Sequence, residues 1–285
     1  MVAKHLSGLP LIVHIHATEF DRSGTVYEGS GDPRIHDIEY MGMMTADKVI
    51  AVSQRTKDII VNKYQIDPNK ISVVHNIVDI DSPYINGARS GSHNEYWYLE
   101  KMKEAGYTVV ANIGRQTIQK GLTHLLESAK IAIEHNPKIL FLFVGSGDQH
   151  EELIRLSADL GISENVIFTG FQNGSRLRDA YSVADIFVMP STSEPFGATA
   201  LEAMGLGAPV MISNQSGVSE MLTNVLKVDF WDTHEIANKI VAISRFPSLR
   251  YSLQHNGLNE FDSKDWDRTA HKTHGLYHEL VGSVV

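Results

Sequence analysis

An α/β fold built on parallel sheets with helices on both faces is predicted by three observations. Short β-branched and aromatic runs alternate with segments of helical period along the chain. Most of these runs end in Gly or Ser, as strands entering turns do. The 285 residues suffice for two domains, and a loop-rich stretch divides them.

In the N-terminal part, residues 11–15, 49–52 and 71–74 read as strands, and residues 35–46 and 54–64 as helices. Residues 82–107 carry Pro83, Gly87, Gly91 and Gly106 and read as a junction. Beyond it, strands are expected at 109–114, 139–145, 166–170, 185–189 and 209–213. Leu122, Leu125, Leu126, Ala129 and Ile133 repeat at helical spacing, as do Leu153, Leu156 and Leu160. A last helix is expected over 266–280. The expected organisation is a partial N-terminal Rossmann-like domain over 1–90 and a complete C-terminal one over 91–263. Residues 264–285 then form a helix packing back towards the first.

Composition narrows the function. Hydrophobic residues at 42% and charged residues at 21% mark a globular chain. The net charge of −9 argues against a general nucleic-acid or anionic-membrane binder. The absence of cysteine excludes disulfides, thiolate metal sites and a cysteine nucleophile, and fits a cytoplasmic location. The apolar run 9–15 contains His14 and is too short for a signal peptide. No stretch approaches the ~20 apolar residues of a membrane span.

The chemistry concentrates in residues 190–202, P-S-T-S-E-P-F-G-A-T-A-L-E. Glu194 and Glu202 are separated by seven residues that include Pro195, Phe196 and Gly197 and open an apolar helix at Ala198 and Thr199. A loop that leaves a parallel strand for a helix N-terminus offers unpaired N–H groups and partial positive charge to a diphosphate. An ionised carboxylate one turn in can accept from two neighbouring sugar hydroxyls. Arg115 and Lys120 follow the strand ending at Gly114 and can neutralise a diphosphate, although alone they read more readily as solvated loop charges. Gly145, Ser146 and Gly147 make a tight turn that serves ligand contact or a plain strand-to-helix link equally well. A nicotinamide fingerprint needs a third glycine where His150 stands. His14 and His16 alternate and point to one face. With Asp21 the nearest carboxylate and no H-E-x-x-H spacing, zinc is disfavoured and His14 is expected to be a sheet or core histidine. His271, His274 and His278 read as the polar side of a helix whose other face holds Trp266, Ala270 and Tyr277.

In order and spacing, Gly114-Arg115 with Lys120-Gly121, Val144-Gly145-Ser146-Gly147-Asp148, Thr169-Gly170-Phe171 and Glu194-Pro195-Phe196-Gly197 with Glu202 resemble the family 4 retaining glycosyltransferases of GT-B architecture. The bacterial glycogen-synthase-like branch also has counterparts of residues 16–24, 46–53 and 226–232. The resemblance implies a metal-independent hexosyltransferase with His16, Arg115, Lys120 and Glu194 at the reacting centre. It places Gly114, Arg115, Lys120, Gly145, Ser146, Gly170, Phe196, Gly197, Ala198, Thr199 and Glu202 around the donor. That donor is a UDP-, ADP- or GDP-hexose, the acceptor is a carbohydrate or small molecule, and no prosthetic group is expected. Two features depart from the family pattern. The chain starts close to the His16 segment, where family members carry further strands and a glycine-rich loop, and Ile77 stands where they have glycine. A shortened N-terminal half is therefore expected, with exposed sheet edges that invite a second copy or a partner subunit. The alternative function is a nucleotide-sugar-binding protein without catalysis.

Overall fold

In a computed structural model of the protein, residues 2–23, 31–87, 94–264 and 267–282 are described. Gly91 and Trp266, named above, and Gly24, the last residue of the 16–24 segment, lie outside them.

The N-terminal part begins with α1 (Val2–Ser7), β1 (Ile12–Ile15) and the single turn α2 (Glu19–Arg22). A capping box starts α2: the Thr18 hydroxyl accepts from the Asp21 amide while the Asp21 carboxylate accepts from the Thr18 amide. Next come α3 (Pro33–Thr45), β2 (Lys48–Ala51), α4 (Gln54–Tyr64) and β3 (Ile71–Val73). The α3 helix starts two residues before the expected position because Asp32 caps it and Pro33 takes the first helical position, where a missing N–H costs nothing. Ser53 caps α4 by accepting from the Thr56 amide. The three strands pair in parallel in the order β1-β2-β3, over a core of Met43, Val49, Ile60 and Ile71.

The expected junction contains a helix, α5 (Trp97–Glu104), docked by the buried Leu99 and by Tyr96 just before it. The larger sheet follows: β4 (Thr108–Ile113), α6 (Leu122–His135), β5 (Ile139–Val144), α7 (His150–Asp159), β6 (Val166–Gly170), α8 (Gly174–Val183), β7 (Ile186–Met189), α9 (Ala198–Gly205), β8 (Val210–Ser213) and β9 (Leu226–Val228). Then come α10 (Thr233–Arg245), α11 (Pro247–Asp262) and α12 (Asp267–Val281), whose Glu279 pairs with Lys48 of β2 at 2.9 Å. All six strands of this sheet are parallel, in the order β6-β5-β4-β7-β8-β9. The sequence reading missed β9, a three-residue edge strand with an exposed lysine at its centre and no periodicity to display.

Side-chain alternation explains why these strands are apolar at nearly every position. Val109, Ala111 and Ile113 of β4 and Leu140, Leu142 and Val144 of β5 join one core, with Leu177 of α8, Leu201 of α9 and Phe261 of α11. Val110, Ile139, Phe141 and Phe143 join the other, with Leu122 and Leu125 of α6 and Ile236 and Ile240 of α10. A strand covered on both faces must bury both sets of side chains. Each large one contributes about 1.5–3 kcal/mol.

One buried carboxylate ties the sheet to its helices. Asp185 accepts from the Val109 amide at 2.9 Å and pairs with Lys103 at 3.1 Å and Arg250 at 2.8 Å. Both cations are about one-third exposed and can rehydrate, whereas the Val109 amide cannot. Asp185→Ala is therefore expected to destabilise by about 1–3 kcal/mol, mostly from the orphaned amide. A urea-midpoint shift in the variant checks this; an unchanged midpoint contradicts it. Among the described residues no helix is long and apolar enough to cross a membrane.

Candidate active site at the switch point of the larger sheet

Strand order reverses between β4 and β7: the chain builds β5 and β6 on one side of β4 and β7 to β9 on the other. At such a point the loops leaving the carboxyl ends of neighbouring strands diverge and open a crevice. A cleft of ≈ 300 Å³ lies there, lined by Gly114 and Arg115 after β4, Gly145 and Ser146 after β5, Thr199 and Glu202 of α9, and Lys120. Seven of the residues expected from sequence thus share one cavity, contributed by three separate strand-to-helix connections.

The polar groups divide into two sets. Glu202 is half-buried and accepts from the Tyr181 hydroxyl at 2.6 Å. Burial raises its carboxyl pKa above the ordinary 4.5, and the Tyr181 hydrogen bond opposes that rise. Burial, and then the Glu202 carboxylate itself, push the Tyr181 phenol well above its usual value, so it stays a donor. Glu194 is 8% exposed and pairs with Lys120, and Ser191 Oγ donates to the same carboxylate oxygen at 3.2 Å. The Glu194 backbone is also fixed, accepting from Gly217 N at 2.9 Å and donating to Gln215 O at 3.1 Å. Arg115 is exposed and has no ion pair among the described residues. The N-cap of α9 is Gly197, which supplies no side-chain acceptor, so the first amides of that helix have no cap partner.

Glu194 and Ala198 are not among the residues that line the cleft, although Glu194 pairs with Lys120, which does; Phe196, Gly170, Gly197 and His16 do not line it either. Phe196 is buried in the core, with its carbonyl accepting from Val218 N at 2.6 Å. Gly170 contributes its carbonyl to Gly145 N at 2.8 Å. Gly197 has a φ of +109°, a conformation that L side chains rarely adopt. A Cβ there would lie 2.8 Å from Met189 Cε, so backbone conformation favours glycine whatever else the loop does. His16 follows β1 on the N-terminal sheet, outside the cleft's lining. His14 is a sheet histidine, in register with Ile50 of β2, but its side chain is exposed rather than in the core and its ring lies 4.1 Å from that of His16. Partial burial, and then the neighbouring His16, lower the His14 pKa.

The sequence reading missed several lining residues. Tyr181 lies on a helix far from the motif, and Tyr84 and Phe171 are exposed aromatics on the same cleft. Gln116 braces it from behind: its amide donates to Gly145 O at 3.0 Å and its carbonyl oxygen meets His150 Nδ1 at 2.6 Å. Only the T-G-F pattern around Phe171 offered any local signal.

Known proteins share this architecture. A family model described as glycosyl transferases group 1 matches residues 100–257, and one described as glycosyltransferase family 4 matches residues 1–82. An uncharacterised glycosyltransferase of Methanocaldococcus jannaschii is 31% identical over 96% of this chain and 70% of its own length. A D-inositol 3-phosphate glycosyltransferase of Salinispora arenicola is 28% identical over 99% of this chain and 66% of its own length. The chain thus spans about two thirds of the length of these curated relatives. The Anabaena HepE crystal structure, solved with UDP and glucose, superposes with a TM-score of 0.78 at 20% identity, over 96% of this chain and 73% of that one. With two parallel sheets, a cleft at the switch point of the second and family models matching both parts, the chain belongs to the family 4 glycosyltransferases and has the GT-B architecture.

Proposed function

We propose that this chain moves a hexose from a nucleoside diphosphate sugar to an acceptor hydroxyl with retention of configuration. The observation that carries the reading is the convergence of Arg115, Lys120, the uncapped α9 N-terminus and Glu202 on one cleft. The spacing suits a nucleoside diphosphate. Glu202 accepts from the two ribose hydroxyls, the cations and α9 amides take the diphosphate, and Gly114, Gly145 and Ser146 let backbone approach it. Tyr84 and Phe171, 54% and 62% exposed, offer faces for the base. Solved neighbours bound to UDP and UDP-glucose support this class of donor.

In the proposed reaction the bond from the sugar's anomeric carbon to the diphosphate breaks, and the acceptor oxygen bonds that carbon on the same face. The acceptor proton passes to a diphosphate oxygen. Arg115 and Lys120 stabilise the charge that develops on the leaving group, Glu194 holds the transferred hexose, and His16 approaches the sugar from the N-terminal part. Lys120 is shared between the diphosphate and Glu194, which couples departure to sugar position.

Glu202→Ala tests the donor site. Hydrogen bonds to a charged group are worth about 1.5–3 kcal/mol, so UDP, ADP or GDP should bind about 10- to 100-fold more weakly by calorimetry. Binding by the unaltered chain should strengthen as pH rises above 4.5, because only ionised Glu202 accepts from both hydroxyls and its pKa is raised. Absence of binding by all three nucleotides, or an affinity indifferent to Glu202, would overturn the reading.

A further inference from the structure

The donor loop is held from outside its own sheet. Asp21, 1% exposed, accepts at Oδ2 from Thr18 N at 2.9 Å and from Thr18 Oγ1 at 2.8 Å. Its other oxygen, Oδ1, accepts from the hydroxyl of the fully buried Ser193 at 3.2 Å. The same hydroxyl accepts from Arg55 Nη2 at 3.1 Å. Ser193 directly precedes Glu194. On the other flank, Ser53 Oγ donates to Pro195 O at 2.6 Å. One turn further along, Glu220 accepts from Gln54 N at 2.7 Å and lies 2.7 Å from His75 Nε2. Both neighbours of Glu194 are therefore bonded by side chains at the start of α2 and α4, more than 130 positions away in sequence.

Those bonds have a direction. The Ser193 hydroxyl has one proton, which goes to Asp21, and its lone pair takes Arg55, so the two charged groups fix its rotamer between them. A serine pinned on one side and a carbonyl pinned on the other leave the intervening residue little torsional freedom. Glu202, Tyr181 and Arg115 receive none of these bonds.

We propose that Asp21 and Arg55, acting through Ser193, are positioning residues that aim the Glu194 carboxylate, so these two N-terminal residues govern turnover without touching the nucleotide. The proposal rests on the role given to Glu194 above. A misplacement near 1 Å can cost about 100-fold in rate. Arg55→Met, which keeps the stem and removes the fork, and Ser193→Ala should each lower turnover of UDP-, ADP- or GDP-glucose about 10- to 100-fold. Affinity for the matching free nucleotide should stay within about threefold, since none of these residues lines the cleft. The double variant should be no slower than Ser193→Ala alone, because both act along one path. Amide exchange in residues 191–197 should quicken in all three variants. Asp21→Ala belongs to the series but also removes one half of the α2 capping box, so the other two carry the test if it fails to fold.

Multiplying losses in the double variant, nucleotide affinity falling in step with turnover, or unchanged amide exchange in the loop would each overturn the proposal. If the unaltered chain turns over none of the three donors, the transferase reading of this chain fails instead. The exchange measurement then decides the positioning role alone: quickened exchange upholds it and unchanged exchange ends it.

Discussion

Glu194→Gln is expected to lower glycosyl transfer by about 100- to 1,000-fold while leaving nucleotide affinity within about threefold, the range set by removing one preorganised electrostatic group from an active site. The substitution keeps shape and volume but deletes the charge that Lys120 and Ser191 orient. Glu194 is 8% exposed, so water cannot replace that charge, and its backbone bonds to Gln215 and Gly217 hold the altered side chain in the same place. Lys120, released from its partner, moves towards the diphosphate and offsets any loss of ground-state binding. The measurement is kcat against KM for the donor, with calorimetry of the free nucleotide alongside. A fall in affinity matching the fall in kcat would mean that Glu194 belongs to the nucleotide subsite and not to the reacting sugar.

Gly145→Ala is expected to destabilise the protein by about 3–5 kcal/mol, because strained backbone and overpacking each cost about 1–3 kcal/mol and act together here. Its φ is +133°, and a Cβ would lie 1.9 Å from Gly114 O and 2.9 Å from Gly114 C. Relief by backbone movement is blocked on every side. Gly145 N donates to Gly170 O at 2.8 Å, Gly114 N donates to Val144 O at 2.9 Å, and Gly145 O accepts from Gln116 Nε2 at 3.0 Å. The ends of three strands are locked together by those bonds. Gly161→Ala is the matched comparison, with φ +72° and nothing within 4 Å of the added Cβ. It should cost only the conformational share, about 1 kcal/mol. Urea midpoints of the two variants check the contrast. Similar midpoints would show that the β4 and β5 loops can separate, and the cleft would then be softer than its hydrogen bonds imply.

Much of this architecture was legible beforehand for a definite reason. Strands buried on both faces must be apolar at consecutive positions, so residues 139–144 and 185–189 stood out from their surroundings. Helices with one covered face repeat every three to four residues, as Leu122, Leu125, Leu126 and Ala129 do. The start of α3 is marked in the sequence by Asp32-Pro33, a capping residue followed by a first-turn proline, two residues before the expected 35. The edge strand β9 and the helix α5 are not so marked, because each is short and draws its order from one neighbour.

The donor-side residues were legible because the chemistry sits in local turns. Gly114-Arg115, Gly145-Ser146 and the stretch from Glu194 to Glu202 are each contiguous, and the order of strands alone brings them to one crevice. Their partners were not. Tyr181 meets Glu202 across 21 positions, Lys120 meets Glu194 across 74, and Asp21 meets Ser193 across 172. Asp21 stands out in the sequence only as the carboxylate nearest His14 and His16, yet it is one of the most buried charged groups among the described residues.

Fold class and the strand-end loops that build the cleft follow from local patterns, because backbone periodicity and turn chemistry act over a few residues, and the family follows from the motifs in those loops. Which oxygen each carboxylate presents, and to what, depends on how the elements pack. Burial raised Glu202, Lys120 and Ser191 oriented Glu194, and the N-terminal part gripped the loop between them. Hydrogen bonds and desolvation depend on distance in space, and distance in space is fixed only once separate elements pack.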